Sequence, residues 1–182
     1  STAHRCGTDR CFEAYQNIQS KADIVINIQG DEPFIQPEQI RAIMACFDTP
    51  DTQIATLAKP FTDEENYEEL ENPNTPKIIF SQVTGNAIYF SRSVIPYKRG
   101  SEHSEWMTQH QYYRHIGMYA YRADILERIT HLQPSPLELA ESLEQLRWIE
   151  NGLTIRVGVC ETYSMGIDTP ADLEAAIRHL KL

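Results

Sequence analysis

No stretch of this chain is apolar for long enough to cross a bilayer, and no signal-peptide pattern stands at its first residues. Cysteine is sparse. Cys6, Cys11, Cys46 and Cys160 show no C-x-x-C spacing, which argues against a disulfide frame or a zinc site and for a reduced, cytoplasmic protein. Positive charge is also short: 16 Lys and Arg stand against 26 Asp and Glu, a formal net charge of -10. Sequence-independent binding to a nucleic-acid backbone is thereby disfavoured, while a nucleotide can still be held by local Arg, Lys or metal. The six histidines lack metal-ligand spacing, and no Ser/His/Asp or Cys/His arrangement suggests a covalent nucleophile. Repeats, linkers and low-complexity segments are absent, so residues 1–182 read as one domain.

What is present is an alternation of helical and strand patterns, which sets the class as α/β with a mixed, mostly parallel sheet flanked by helices. Ile24–Ile28 is a short β-branched run, read as a strand buried on both faces of a parallel sheet. Further strands are expected at Ile54–Ala58, His115–Tyr121 and Thr154–Cys160, with a hairpin of Lys77–Phe80 and Ala87–Ser91 around Thr84-Gly85-Asn86. Helices are expected from near Arg10, capped by Thr8 and Asp9, and from Pro37. Others follow over Arg122–Leu132, from the Ser135-Pro136-Leu137-Glu138 capping box to about Glu150, and after Thr169-Pro170. Residues 61–76 read as an irregular acidic surface segment, and residues 95–112 as a mobile polar loop.

The Ile24–Ile28 run stops at Gly30-Asp31-Glu32-Pro33. Ligands of open α/β sheets sit beyond the carboxyl ends of the strands, so Asp31 lands where a ligand would be, and its hard oxygens suit Mg²⁺ holding phosphate. A solvated acidic turn is the competing reading. Asp168 lies between a strand and a helix start and is either a second metal ligand meeting Asp31 or a turn residue. Cys6-Gly7-Thr8-Asp9-Arg10 enters a helix, where backbone N–H groups favour an anion. Arg92 and Arg99 are either bidentate anion ligands or solvated side chains. His115 and Tyr119 share a strand face and read as partners of a polyhydroxy ligand or as a satisfied core pair. Glu144 and Gln145, by composition alone, read as helix surface.

Taken together and in order, the segments Gly7-Thr8-Asp9-Arg10, Gln29-Gly30-Asp31-Glu32-Pro33, Phe90-Ser91-Arg92 and Ile95-Pro96 carry a resemblance. So do His115-Ile116-Gly117-Met118-Tyr119, Gln133-Pro134-Ser135-Pro136-Leu137-Glu138, Glu144-Gln145-Leu146-Arg147 and Gly166-Ile167-Asp168-Thr169-Pro170. The chain resembles the 3-deoxy-manno-octulosonate cytidylyltransferases, the CMP-Kdo synthetases of Gram-negative bacteria. The Gly-Asp-Glu-Pro piece is shared with broader sugar nucleotidyltransferases, whereas the Gln-Pro-Ser-Pro-Leu-Glu and Glu-Gln-Leu-Arg pieces are more specific. The resemblance implies a glycosyltransferase-A-like fold, a cytoplasmic homodimer and a Mg²⁺-dependent reaction of CTP with Kdo that serves lipopolysaccharide biosynthesis. By position it implies that Asp31 and Asp168 hold Mg²⁺ and that Gly7 and Arg10 lie at the nucleotide. Gln29, Arg92, His115, Tyr119, Glu144 and Gln145 would line the sugar-acid pocket, with Arg99 close by. Two departures are visible. Cys6 stands where the family usually has Ser, and the family's opening strand and triphosphate loop, rich in Pro, Arg, Gly and Lys, do not occur here. The chain alone is therefore expected not to catalyse. A cytidylyltransferase for another sugar acid and a noncatalytic nucleotide- or sugar-binding remnant are the alternatives.

Overall fold

The longest strand organises the others. In the computed structural model, which describes residues 4, 6–30, 32–62, 65–162, 174, 177 and 178, strand β5 (Tyr113–Arg122) has neighbours on both edges. Strand β2 (Ile54–Pro60) pairs antiparallel along one edge, from Ile54 opposite Tyr121 to Pro60 opposite Tyr113. The other edge is shared by β1 (Ile24–Asn27), opposite Tyr119 to Arg122, and by β3 (Lys77–Phe80), where Lys77 meets Arg114. Strand β4 (Ala87–Ser91) closes the hairpin with β3, and β6 (Ile155–Val159) runs parallel to β2. The path is β4-β3-β5-β2-β6, with β1 attached to β5 beside it.

The sheet is mixed, as expected, but its neighbours are mainly antiparallel rather than parallel. The reason is topological. β1, β2, β3 and β6 all point one way, which the alternation of helices and strands predicts. β5 is inserted among them from a loop rather than from a helical crossover, and it reverses each pairing it enters. For the same reason β1 is not a strand buried on both faces. It pairs with β5 on one edge, all four of its residues are half-buried, and Ile28 lies beyond it, exposed.

Period-two patterning in β5 sorts the core into two layers. Ile116, Met118 and Ala120 face helix α2 (Pro37–Ala45), joining Ile43, Cys46, Ala55 and Leu57. Tyr119 and Tyr121 face the opposite side. There they pack with Leu146, Trp148, Ile125 and Leu126, from α7 (Gln145–Glu150) and α5 (Ala123–Thr130), and helix α1 (Gly7–Asn17) lays Cys11 and Phe12 against the same cluster. The result is helices on both faces of one sheet.

Local departures from expectation have local causes. Helix α1 begins at Gly7, not near Arg10, because Cys6 takes the extended N-cap position and Thr8 turns inward instead of capping. The capping box at Ser135 forms, but the helix it starts, α6 (Pro136–Glu141), ends at Ser142, a left-handed residue (φ 53°), and α7 follows separately. Residues 61–76 contain a short helix, α3 (Tyr67–Glu71), under an Asn66 capping box. The segment 95–112 is packed rather than loose: helix α4 (Trp106–Gln109) buries Trp106 against Tyr112, Phe61 and Leu70. The hairpin turn and the stop at Gly152 occur as expected, with φ of +70° at Gly85 and +75° at Gly152.

Candidate active site

Two groups of the expected residues are brought together. The first lies at the start of α1. A side chain built on Gly7 would lie 3.4 Å from both amide atoms of Gln29 and 3.6 Å from the Arg10 guanidinium, ordinary van der Waals contact, so Gly7, Arg10 and Gln29 are neighbours at this helix start. The opening N–H groups of this helix and its dipole are directed at the same place, an arrangement suited to an anion.

The second group is the buried wall of β5. The His115 and Tyr119 rings lie 5.3 Å apart, Phe90 meets His115 edge-on at 5.0 Å, and Trp148 meets Tyr119 edge-on at 5.0 Å. His115 Nε2 is 2.9 Å from the Thr56 hydroxyl, and Thr56 is also 2.9 Å from the Met118 carbonyl. A hydroxyl has one proton. Given to the carbonyl, it leaves the Thr56 oxygen to accept from His115, so the ring is the neutral Nε2–H tautomer, with the Nδ1 lone pair directed elsewhere. Dense packing around the ring disfavours the imidazolium and holds its pKa down at about 3, although part of the residue still meets solvent. His115 therefore orients and accepts; it does not carry charge at neutral pH. Burial likewise pushes the Tyr119 and Tyr121 phenols well up, with Glu144 adding to both.

Glu144 ties the start of α1 to α7, the helix that lays Trp148 against Tyr119. Its Oε1 accepts from the Cys6 thiol at 3.1 Å and from Arg147 Nη2 at 2.7 Å, and its Oε2 accepts from the Thr8 hydroxyl at 3.0 Å. Arg147, 3% exposed, also reaches the Leu132 carbonyl and lies 3.3 Å from the Glu138 carboxylate. Beside it Gln145 is 4% exposed, and its Nε2 has no hydrogen-bond partner among the described residues. A buried amide donor left open is costly unless something accepts from it.

Arg92 is anchored by main chain. Its Nε donates to the Glu141 carbonyl at 2.7 Å, Nη1 to Pro73 at 2.8 Å and Nη2 to Ser142 at 3.4 Å. The Glu141 carboxylate in turn accepts from the Ser91 hydroxyl at 2.6 Å and the Arg92 amide at 2.9 Å. A guanidinium has five N–H donors, so this anchoring leaves two for an outside acceptor. Lys77, fully buried nearby with Nζ on the Asn72 carbonyl at 3.0 Å, has its pKa lowered to about 8 by burial, against the pull of Glu141. Arg99 is exposed beside Gly100 and joins neither group. Asp31 and Asp168 lie outside the described residues, and of the helix expected after Thr169 only Glu174, Ile177 and Arg178 are described, all three helical. Among the described residues no three His, Cys, Asp or Glu side chains converge as a metal site.

Sequence reasoning read Thr8 as a helix cap, quoted Arg147 without a role of its own, and passed over Thr56 and Glu141. Thr56 had a signal, a polar residue inside the apolar Ile54–Ala58 run, and Arg147 stands three residues after Glu144 on one helical face. Glu141 had none, since its importance depends on the break at Ser142.

The cytidylyltransferase family matches this chain over residues 1–155. The 3-deoxy-manno-octulosonate cytidylyltransferase of Parabacteroides distasonis is 56% identical over 181 residues, 99% of this chain and 72% of the relative. That of Rhodopseudomonas palustris is 46% identical over 182 residues, 97% of this chain and 69% of the relative. Among solved structures, a CMP:2-keto-3-deoxy-manno-octonic acid synthetase in complex with CTP superposes with a TM-score of 0.84 at 38% identity, covering 99% of this chain and 70% of the other. A 4-diphosphocytidyl-2C-methyl-D-erythritol synthase from Anaerococcus prevotii, at 13% identity and a TM-score of 0.56 over 98% of this chain and 68% of the other, shares the fold.

Proposed function

The chain belongs to the 3-deoxy-manno-octulosonate cytidylyltransferase family, and we propose on that premise that it transfers CMP from CTP to the anomeric hydroxyl of Kdo, releasing pyrophosphate, as a step of lipopolysaccharide biosynthesis. The observation that carries this reading is the placement of an anion-seeking helix start, with Gly7, Arg10 and Gln29, beside a wall of neutral hydrogen-bonding groups, with the Glu144 carboxylate tying that helix start to the helix that backs the wall. A triphosphate and a polyhydroxy acid make those two demands.

The bond that forms joins the anomeric oxygen of the sugar to the α-phosphorus, and the bond that breaks releases pyrophosphate, in line and without a covalent enzyme intermediate. The protein's part is positioning and electrostatics. Arg10 and the first-turn N–H groups of α1 hold nucleotide oxygens. His115, neutral, and Tyr119 orient sugar hydroxyls, and the open Nε2 of Gln145 donates to the sugar acid. The two remaining donors of Arg92 are directed to its carboxylate, with Gln29 at the boundary between the substrates and Arg99 at the outer rim. Mg²⁺ is proposed on Asp31 and Asp168, whose hard oxygens suit it, and when bound it would neutralise phosphate charge. A reduced cytoplasmic setting is supported by the four cysteines, all free thiols. A homodimer is proposed as the working form, to be checked by light scattering of the full-length protein.

The test is direct. Full-length protein with Mg²⁺, CTP and Kdo should yield CMP-Kdo and pyrophosphate by phosphorus NMR. Turnover of sialic acid in preference to Kdo would redirect the assignment to another sugar acid, and binding of CTP without turnover would mark a noncatalytic remnant.

A further inference from the structure

Lys77 is a buried cation without a counter-ion. The residue is 0% exposed and its Nζ donates to the Asn72 carbonyl at 3.0 Å, with no carboxylate paired to it among the described residues. Glu141 and Glu71 raise its pKa from a distance, but burial outweighs them, Arg92 adds to the fall, and the value drops to about 8. At neutral pH the ammonium still carries its charge. A charge withdrawn from water in this way costs stability, so its presence needs a reason.

The acceptor supplies one. Asn72 caps the end of α3 and opens a turn, in which the Thr75 amide donates to the Asn72 carbonyl at 3.1 Å and the Asn74 amide to Asn72 Oδ1 at 2.9 Å. Pro73 takes the second position, as such turns prefer, and its carbonyl is not used by the turn's own hydrogen bond. That carbonyl accepts from Arg92 Nη1 at 2.8 Å. At the other end of the segment the Pro76 carbonyl accepts the His115 amide at 2.8 Å. Residues 72–76 are thus the common mount of Arg92 and His115. Lys77, the first residue of β3, folds back over them and closes the segment on its own beginning.

Resting on the cytidylyltransferase reading, we propose that Lys77 is a positioning residue for the sugar side of the site: it locks the 72–76 segment, so that Arg92 and His115 meet the sugar acid at a fixed spacing. Lys77 touches no substrate and acts through the Pro73 and Pro76 carbonyls. Glu141 holds Arg92 from the opposite flank, through its carboxylate on the Arg92 amide and its carbonyl on Nε. Of the two supports, the one that Lys77 locks also reaches β5. Its removal therefore has two effects of opposite sign. The fold is relieved of a buried charge, while the sugar acid loses a fixed partner. A residue that served the fold alone would show a loss of stability first.

Lys77→Met in the full-length protein tests this. Its melting temperature should equal or exceed that of the unmodified protein, because an apolar chain of similar length replaces a buried charge. The KM for Kdo should rise about ten-fold, the scale of one hydrogen bond from a charged donor, while the KM for CTP stays unchanged. In an Arg92→Ala background the same substitution should cost less than it does alone, because the guanidinium that it positions is gone. Lys77→Gln keeps an N–H donor without the charge and should fall between Lys and Met. A lowered melting temperature, an equal rise in both KM values, or full additivity with Arg92→Ala each overturns the positioning role. Absence of CMP-Kdo formation by the unmodified protein sinks the cytidylyltransferase reading, whereas turnover that Lys77→Met leaves unaltered sinks this inference alone.

Discussion

His115 shows how a single residue's surroundings decide its chemistry. In the unfolded chain a histidine titrates near 6.5, whereas in the fold the value is held at about 3. Above pH 6.5 the ring is neutral in both states and favours neither. As pH falls below 6.5 the unfolded chain takes up a proton that the fold refuses, so stability declines until about pH 3. The slope from this residue is at most about 1.4 kcal/mol per pH unit. Denaturation midpoints measured between pH 7 and 4 should show this fall, and His115→Gln should flatten it; an unchanged profile would show that the ring is not shielded. Cys6 offers a second check. Its thiol is displaced upward to about 11, so iodoacetamide at pH 8 should modify it far more slowly than an ordinary thiol, and Glu144→Ala should speed the reaction. Residue types at the site were legible in the sequence. Their protonation was not, because desolvation depends on which elements cover them.

Ser142 carries the lesson for elements. A capping box and a Gly stop, read in sequence, promise one helix from Pro136 to Glu150. The chain instead turns left-handed at Ser142 and restarts. That turn presents the Glu141 and Ser142 carbonyls to Arg92 and brings the Glu141 carboxylate to Ser91. Helix periodicity runs through such a break without a mark, which is why the reading missed it. A non-glycine residue in this conformation costs about 1–2 kcal/mol. Ser142→Gly should therefore raise stability by about 0.5–1 kcal/mol in urea while leaving the Arg92 contacts in place. A loss of stability would mean that the serine side chain, not the backbone, matters there. Elements with strong local signals, the Lys77–Ser91 hairpin and α2 behind Pro37, were readable at once.

At the scale of the molecule, the face that lodges Trp148 is both core and site wall. The indole is 1% exposed and meets the rings of Tyr119 and Tyr121 at 5.0 and 5.6 Å. Trp148→Ala should cost about 3–5 kcal/mol through the cavity it leaves. It should also disturb the sugar side of the site, since Tyr119 would lose its backing. Calorimetric melting paired with the KM for Kdo checks both; a stability loss with unaltered KM would separate core from site. The α/β class and helices on both faces were visible in the sequence. The direction of the strand pairings was not, because β5 enters between β1 and β2 from a loop and no local pattern marks which gap a strand will fill.

That late entry of β5 matters while the polypeptide is being made. β1 and β2 leave the ribosome before β5, yet they do not pair with each other; each waits for residues 113–122. Until β5 emerges, the strand edges that it will cover stay open, and Ile24, Ile26, Ala55 and Leu57 lack the Ile116, Met118 and Ala120 side chains of their cluster. Synthesis proceeds residue by residue, so this exposure lasts seconds, long enough for chaperone capture or for aggregation between neighbouring nascent chains. Ribosome-bound chains arrested before residue 113 should accordingly be protease-sensitive throughout β1 and β2. Chains released past β6 should become resistant in one step.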